Sequence, residues 1–335
     1  MKGKILFLIL FLFIFIPLLL FTVVPFFIKI LFTLNFLVLF IMIFFYLFKD
    51  KRFSPILAAF IVFNFLFFII APMLQIHQVY ESGNLKLVNK LIYKEYLIIK
   101  TGVFVLIFNI VFFVAYRYFN AMKRKINAYP QNVNLSFHIF IFFIISMIIF
   151  IANSEYLLGE YISSNYSALE GTTKSALLMK EKILLMLPFP AFILGVYYIK
   201  KVKKTKNFYT ILVITGLLLV LILLIKNPLT EKRNALGPIY ITIAFVLIPK
   251  LLNTNFKSLI FLFFSMVIIF PTISLITHSG YSLEKLINKP ELLLYQLKNH
   301  GVANTFTTLN YDAFINFSAT IEHVEGDSFS YGEQL

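Results

Sequence analysis

Met1-Lys2-Gly3-Lys4 leads directly into Ile5-Leu6-Phe7-Leu8-Ile9-Leu10-Phe11-Leu12-Phe13-Ile14-Phe15-Ile16-Pro17-Leu18-Leu19-Leu20-Phe21-Thr22-Val23-Val24, an apolar run without a single charge. How this run is read decides the fold. A secretory leader has a shorter apolar core followed by a small-x-small cleavage site. Here the run is long, no such site follows, and a second apolar run opens at once near Phe26. It reads as a first membrane span that stays with the chain. Pro17 then predicts a kink and Pro25 a span end, both of which a membrane helix tolerates.

Composition carries the same reading to the rest of the chain. Of the 335 residues, 60% are hydrophobic and 13% charged, and the mean hydropathy is +0.88. Soluble domains hold about 45–50% apolar and about 25% charged residues, so too few charges are present to coat a globule of this size. Cysteine is absent, which excludes disulfides and thiolate metal sites. No internal repeat, low-complexity tract or soluble domain interrupts the apolar runs.

At about 20 apolar residues per crossing, nine spans are expected. They cover 5 to 24, 27 to 48, 54 to 76, 98 to 116, 135 to 153, 183 to 199, 208 to 225, 238 to 249 with its flanks, and 258 to 276. The expected fold is an all-α polytopic membrane bundle over 1–276, with a large outer segment over 277–335. Charge gives the direction. The loops 1 to 4, 49 to 53, 117 to 134, 200 to 207 and 250 to 257 hold sixteen of the thirty basic residues and only Asp50 of the fifteen acidic ones. The other fourteen basic and fourteen acidic residues fall on the opposite side and cancel. Positive-inside bias therefore puts the N-terminus in the cytoplasm. The net charge of +15 is topological, with clusters such as Lys200-Lys201-Val202-Lys203-Lys204 facing anionic lipid, and it calls for no nucleic acid.

Four outer loops then remain for chemistry: 77 to 97, 154 to 182, 226 to 237 and 277 to 335. In the first, charges mix with belt tyrosines. In the second, Glu155, Glu160, Tyr161, Tyr166 and Glu170 have the spacing of an interfacial amphipathic helix or of a sugar-binding face. The third, Lys226-Asn227-Pro228-Leu229-Thr230-Glu231-Lys232-Arg233-Asn234-Ala235-Leu236-Gly237, carries the only outward arginine. A guanidinium matches phosphate oxygens bidentately, and Arg233 near Lys226 and Lys232 suits a lipid diphosphate; it equally suits snorkelling to headgroups. In the fourth, Asp312, Asn316 and Thr320 share a helical face with His323, a side chain able to take a proton from a hydroxyl. No second histidine stands at ligand spacing, so no metal and no cofactor is expected.

Asn227-Pro228 followed by Arg233 before a span, then Tyr311-Asp312-Ala313-Phe314, then Glu322-His323-Val324 and Phe329-Ser330-Tyr331-Gly332, resembles the Wzy-type O-antigen polymerases, the oligosaccharide repeat unit polymerases. The likeness covers the span pattern throughout and specific residues from about 226 to 335. It implies a membrane glycosyltransferase of the bacterial inner membrane that joins undecaprenyl-diphosphate-linked oligosaccharides into surface polysaccharide, lipopolysaccharide or capsule. Carried over residue by residue, Arg233, Asp312 and His323 become catalytic, while Lys226, Lys232, Tyr311 and Tyr331 become substrate-binding. It further implies membrane lipid and a chain-length regulator protein as partners. Longer members continue with another hydrophobic segment and a Pro-Arg loop, so the expectation is of a C-terminally truncated chain. An O-antigen ligase-like transferase would use the same chemistry on another acceptor. A polysaccharide flippase or transporter would be expected to carry charges inside its spans, and these are nearly free of them.

Overall fold

The computed structural model describes residues 2–50, 52–82, 94–121, 134–154, 184–201, 207–226, 233–250, 252–269, 272, 291–292, 306 and 311–326. Every regular element among them is helical. In chain order these are α1 (Lys2–Phe21), α2 (Phe26–Lys49), α3 (Pro55–Glu81), α4 (Glu95–Ala121), α5 (Leu135–Ala152), α6 (Pro188–Lys201), α7 (Phe208–Ile225), α8 (Arg233–Leu247), α9 (Asn255–Ile269) and α10 (Ala313–Gly326). Six of them, α1 to α5 and α7, are long and apolar enough to cross a membrane. The chain is a multi-pass helical membrane protein.

The distribution of polarity agrees with that conclusion. Leu6, Phe13, Phe21, Phe26 and Phe27 present apolar surface outward, whereas Asn35, Asn64, Gln75, Thr101 and Asn109 are buried. Water would favour the reverse, and lipid explains it, because a polar side chain in hydrocarbon must find a partner inside the bundle. Several do so one turn back on their own helix: Asn35 to Leu31 O at 3.0 Å, Asn64 to Phe60 O at 3.0 Å, Thr215 to Ile211 O at 2.7 Å.

At three of the nine expected spans the described helix, α6, α8 or α9, has fewer than 18 residues. α6 starts at Pro188 after a 3-10 turn, Leu184–Met186, because proline has no N–H to give and sets the dihedral for a first helical turn. α8 begins at Arg233, five residues ahead of the expected 238, and ends before Pro249. At about 1.5 Å per residue the 15 residues of α8 extend roughly 22 Å, less than the roughly 30 Å of a hydrocarbon core.

The chain falls into two compact units. The first comprises Met1–Lys125, Leu252–Thr272 and Glu284–Leu335, and the second Ile126–Leu251 and Ile273–Leu283. The described part of 277–335 includes α10, which packs into the first unit.

In the first unit, Phe7, Phe11 and Phe15 recur every four residues on one side of α1 and are buried. Phe11 meets Phe65 at 4.5 Å and Phe263 at 5.4 Å, and Phe15 stacks on Phe36 at 3.9 Å. One aromatic stripe thus joins α1 to α2, α3 and α9, with offset and edge geometries that benefit from ring electrostatics as well as burial. In α3 the π turn Leu66–Ile70 sits just before Pro72, and the Ala71 N–H bonds back to Leu66 O. Proline cannot return a hydrogen bond to the preceding turn, so a wider turn absorbs the mismatch.

The second unit packs α6 between α5 and α7. Ala191, Phe192, Ile211, Ile214, Leu218, Ile239 and Ile243 form its buried core. α7 ends at Lys226, which is buried; its N–H bonds Ile222 O at 2.8 Å, and its carbonyl accepts from Tyr240 Oη of α8 at 2.6 Å.

Candidate functional site

Within the first unit the sequence-derived candidates Tyr311 and Asp312 stand at the start of α10. Aspartate is favourable in this position, since it precedes a helix whose first N–H groups lack intrahelical partners. The Asp312 carbonyl accepts the first helical bond, from Asn316 N at 2.8 Å. Tyr311, Phe314, Ile315 and Ser318 recur at steps of three and four, and all are buried. That face is what seats α10 against the bundle.

Tyr311 is held from several sides. Its ring lies 4.7 Å from that of Phe67 and 4.5 Å from that of Phe306. Its hydroxyl donates to Met266 O at 2.8 Å. Met266 lies in the π turn Ser265–Ile269 of α9, so this hydroxyl ties the head of α10 to that turn. Gln75 of α3, fully buried, donates through Nε2 to Phe306 O at 3.0 Å and Tyr311 O at 3.1 Å. Its Oε1 is buried and has no hydrogen-bond partner among the described residues. A buried acceptor left open costs free energy unless a hydroxyl or water meets it.

The rest of α10 runs antiparallel to the beginning of α4. Lys94 Nζ pairs with Glu322 Oε1 at 2.7 Å, Thr101 Oγ1 and Ser318 Oγ are 2.8 Å apart, and the Phe104 and Phe317 rings are 6.4 Å apart. The hydrogen bond and the charge of Glu322 hold the Lys94 ammonium above the usual lysine range. Phe314 reaches Phe32 of α2 at 5.8 Å and Phe68 of α3 at 6.5 Å. The end that carries Asp312 is thus inserted beside the later half of α3, and the end that carries His323 lies near the start of α4.

This arrangement separates two candidates that share a helical face. Asp312 is half-buried at one end of α10, and His323 is exposed in its last turn. Eleven positions at about 1.5 Å each put them roughly 16 Å apart along the axis. They cannot handle the same proton. In the last turn His323 also complements the negative end of the helix dipole, a role that needs no chemistry.

The remaining candidates belong to the second unit or to residues outside the described set. Arg233 opens α8, though its side chain is not among those described. Lys226 is buried at the end of α7. Lys232 and Tyr331 lie outside the described residues. Gln75, Met266 and Lys94 were missed by sequence reasoning. For Gln75 a signal existed: a carboxamide within an apolar run has to find a partner in the bundle. Nothing in the sequence indicated that the partner would be 236 positions away. Comparison of the chain with protein-family models, curated proteins and solved structures finds no match to any of them.

Proposed function

We propose that the chain is a membrane glycosyltransferase that lengthens a surface polysaccharide by joining undecaprenyl-diphosphate-linked repeat units on the outer face of the bacterial cytoplasmic membrane. In this reading the chain crosses the membrane nine times from a cytoplasmic N-terminus, and α10 enters the bundle from the outer side. The observation that carries it is the fixed placement of Asp312, half-buried at the head of α10 and anchored through Tyr311 by Gln75 and Met266. An ionisable group set among apolar helices is expensive, and such groups mark functional sites.

The chemistry is an acyl-free group transfer. A sugar hydroxyl of one lipid-linked unit attacks the anomeric carbon of the glycan on another. The new glycosidic bond forms as the bond from that carbon to the diphosphate breaks, and the electron pair leaves with the diphosphate. Asp312 takes the hydroxyl proton, because it stands on the anchored end of α10 while His323 is roughly 16 Å away. Arg233, which opens α8, is assigned to the leaving diphosphate, whose growing negative charge suits a guanidinium. Lys226 and Lys232, both earlier in the same stretch of sequence, join it in the diphosphate-binding set, Tyr311 positions the base, and Tyr331 belongs to the glycan-contacting set.

Purified chain in lipid vesicles, supplied with undecaprenyl-diphosphate-linked repeat units, tests the proposal. Products longer than one unit are expected from the wild type, with Asp312→Asn and Arg233→Lys each lowering the rate at least about 100-fold and His323→Asn leaving most of it. Absence of elongation by the wild type, or full activity of Asp312→Asn, would sink the reading.

A further inference from the structure

The end of the first unit away from α10 holds a polar knot that the proposed reaction does not use. Asn255, at the start of α9, donates through Nδ2 to the carbonyls of Tyr46 at 3.0 Å, Asp50 at 3.3 Å and Arg52 at 3.2 Å, and its Oδ1 accepts from Ser54 N at 3.3 Å. One side chain thereby shapes the whole turn between α2 and α3. The Asp50 carboxylate, only 2% exposed, is bound by Tyr116 Oη at 3.2 Å and by Arg117 Nη1 at 3.0 Å. Arg117 in turn lies over the Phe45 ring at 4.6 Å.

These contacts leave Arg52 exposed, with no acid paired to it among the described residues. Beneath it is a depression of about 410 Å³ lined by Arg52, Phe112, Ala115, Tyr116 and Phe119. The last four recur at steps of three, one and three, so they form one face of α4. Phe112 is fixed by stacking on Phe60 at 3.7 Å. The site is a guanidinium above an apolar wall, with exposed Lys49 nearby in sequence and the nearest carboxylate already neutralised by Arg117.

We propose that this depression is a binding site for an anionic phospholipid, whose phosphate pairs with Arg52 and whose acyl chain lies along Phe112, Ala115 and Phe119. The charge decides the class. A zwitterionic lipid brings a cation next to Arg52, while a phosphate without that cation meets the guanidinium's planar set of donors. The apolar wall decides the source, because a free phosphate gains nothing from Phe112 or Phe119.

The test is native mass spectrometry of the full chain released from detergent after incubation with equimolar phosphatidylglycerol and phosphatidylcholine. Preferential phosphatidylglycerol adducts are expected. Arg52→Gln should lower their population about fivefold, and Ala115→Trp should do so by filling the depression. Lys200→Gln combined with Lys201→Gln should leave them unchanged, and millimolar inorganic phosphate should not compete. Equal adducts with the two lipids, an unaffected Arg52→Gln variant, an equal loss in the Lys200/Lys201 variant, or competition by inorganic phosphate would each overturn the assignment. Should Ala115→Trp fail to fold, the Arg52→Gln comparison still decides.

Discussion

The Gln75 Nε2 lies 3.1 Å from the backbone carbonyl oxygen of Tyr311, so a side chain in the third helix holds the turn that opens the last one. The same nitrogen reaches Phe306 O at 3.0 Å. One carboxamide nitrogen thereby ties two backbone carbonyls to α3. The position of Asp312 follows directly from this clamp.

Gln75→Leu removes both of these hydrogen bonds. The expected loss is about 0.5–1.5 kcal/mol for each, read as unfolding free energy in mixed micelles, with faster proteolysis of the segment around Tyr311. A variant as stable and as protected as the wild type would show that the clamp contributes nothing.

Thr101 and Ser318, both buried, share a hydrogen bond of 2.8 Å between α4 and α10. Such interhelical bonds in membranes are modest. A double-mutant cycle with Thr101→Ala and Ser318→Ala should give a coupling of about 0.6 kcal/mol and not above about 1.7 kcal/mol. A coupling near zero would mean that apolar packing alone docks α10.

The pair of Lys94 and Glu322 predicts a pH dependence in one direction. Lys94 has its pKa raised in the folded state, first by the hydrogen bond to Glu322 and then by its charge. The contribution of the pair is therefore complete below the ordinary lysine value of about 10.4 and is lost as pH rises through the higher folded value. Because the chain has no cysteine, a single spin label at Val324→Cys can report this. Its mobility should rise as the pH climbs above about 10.4 in the wild type, and a Lys94→Gln background should be mobile already at neutral pH. The same alkaline rise in that background would assign the transition to another group.

Two glycines should respond differently to alanine. A Cβ on Gly195 would collide with Oγ1 of Thr215, a short β-branched side chain whose hydroxyl is held on Ile211 O at 2.7 Å. A Cβ on Gly102 would meet mainly the tip of Leu31, which can rotate away. Gly195→Ala should cost about 1–3 kcal/mol, and Gly102→Ala less. Unfolding free energies in the same micelles compare them, and the opposite order would contradict the packing of α6 on α7.

Much of the helical plan can be read along the chain. The runs at 5 to 24, 27 to 48, 54 to 76, 98 to 116, 135 to 153 and 208 to 225 all coincide with long helices, since a lipid-facing helix must be apolar on every side. The starts of α6 and α8 were less legible. At Pro188 the chain begins its helix late, and at Arg233 it begins early, because local turn chemistry and tertiary contacts set boundaries that hydropathy averages over.

The candidate site was legible only in part. The pattern of Asp312, Asn316, Thr320 and His323 on one face is correct as helical geometry, but periodicity gives angle around an axis and says nothing of distance along it. The buried side of α10 is the other set, Tyr311, Phe314, Ile315 and Ser318.

By itself the sequence determined that this is a membrane-embedded helical protein, because apolar runs of span length and a shortage of charge leave no soluble alternative. Only the tertiary structure decided that Tyr311 and Asp312 belong among the helices of the first unit. Gln75 meets the carbonyls of Phe306 and Tyr311 across more than 230 positions, and the Tyr311 hydroxyl meets Met266 O in a π turn of another helix. Those pairings arise from the three-dimensional arrangement of the helices, and no local pattern of residues encodes them.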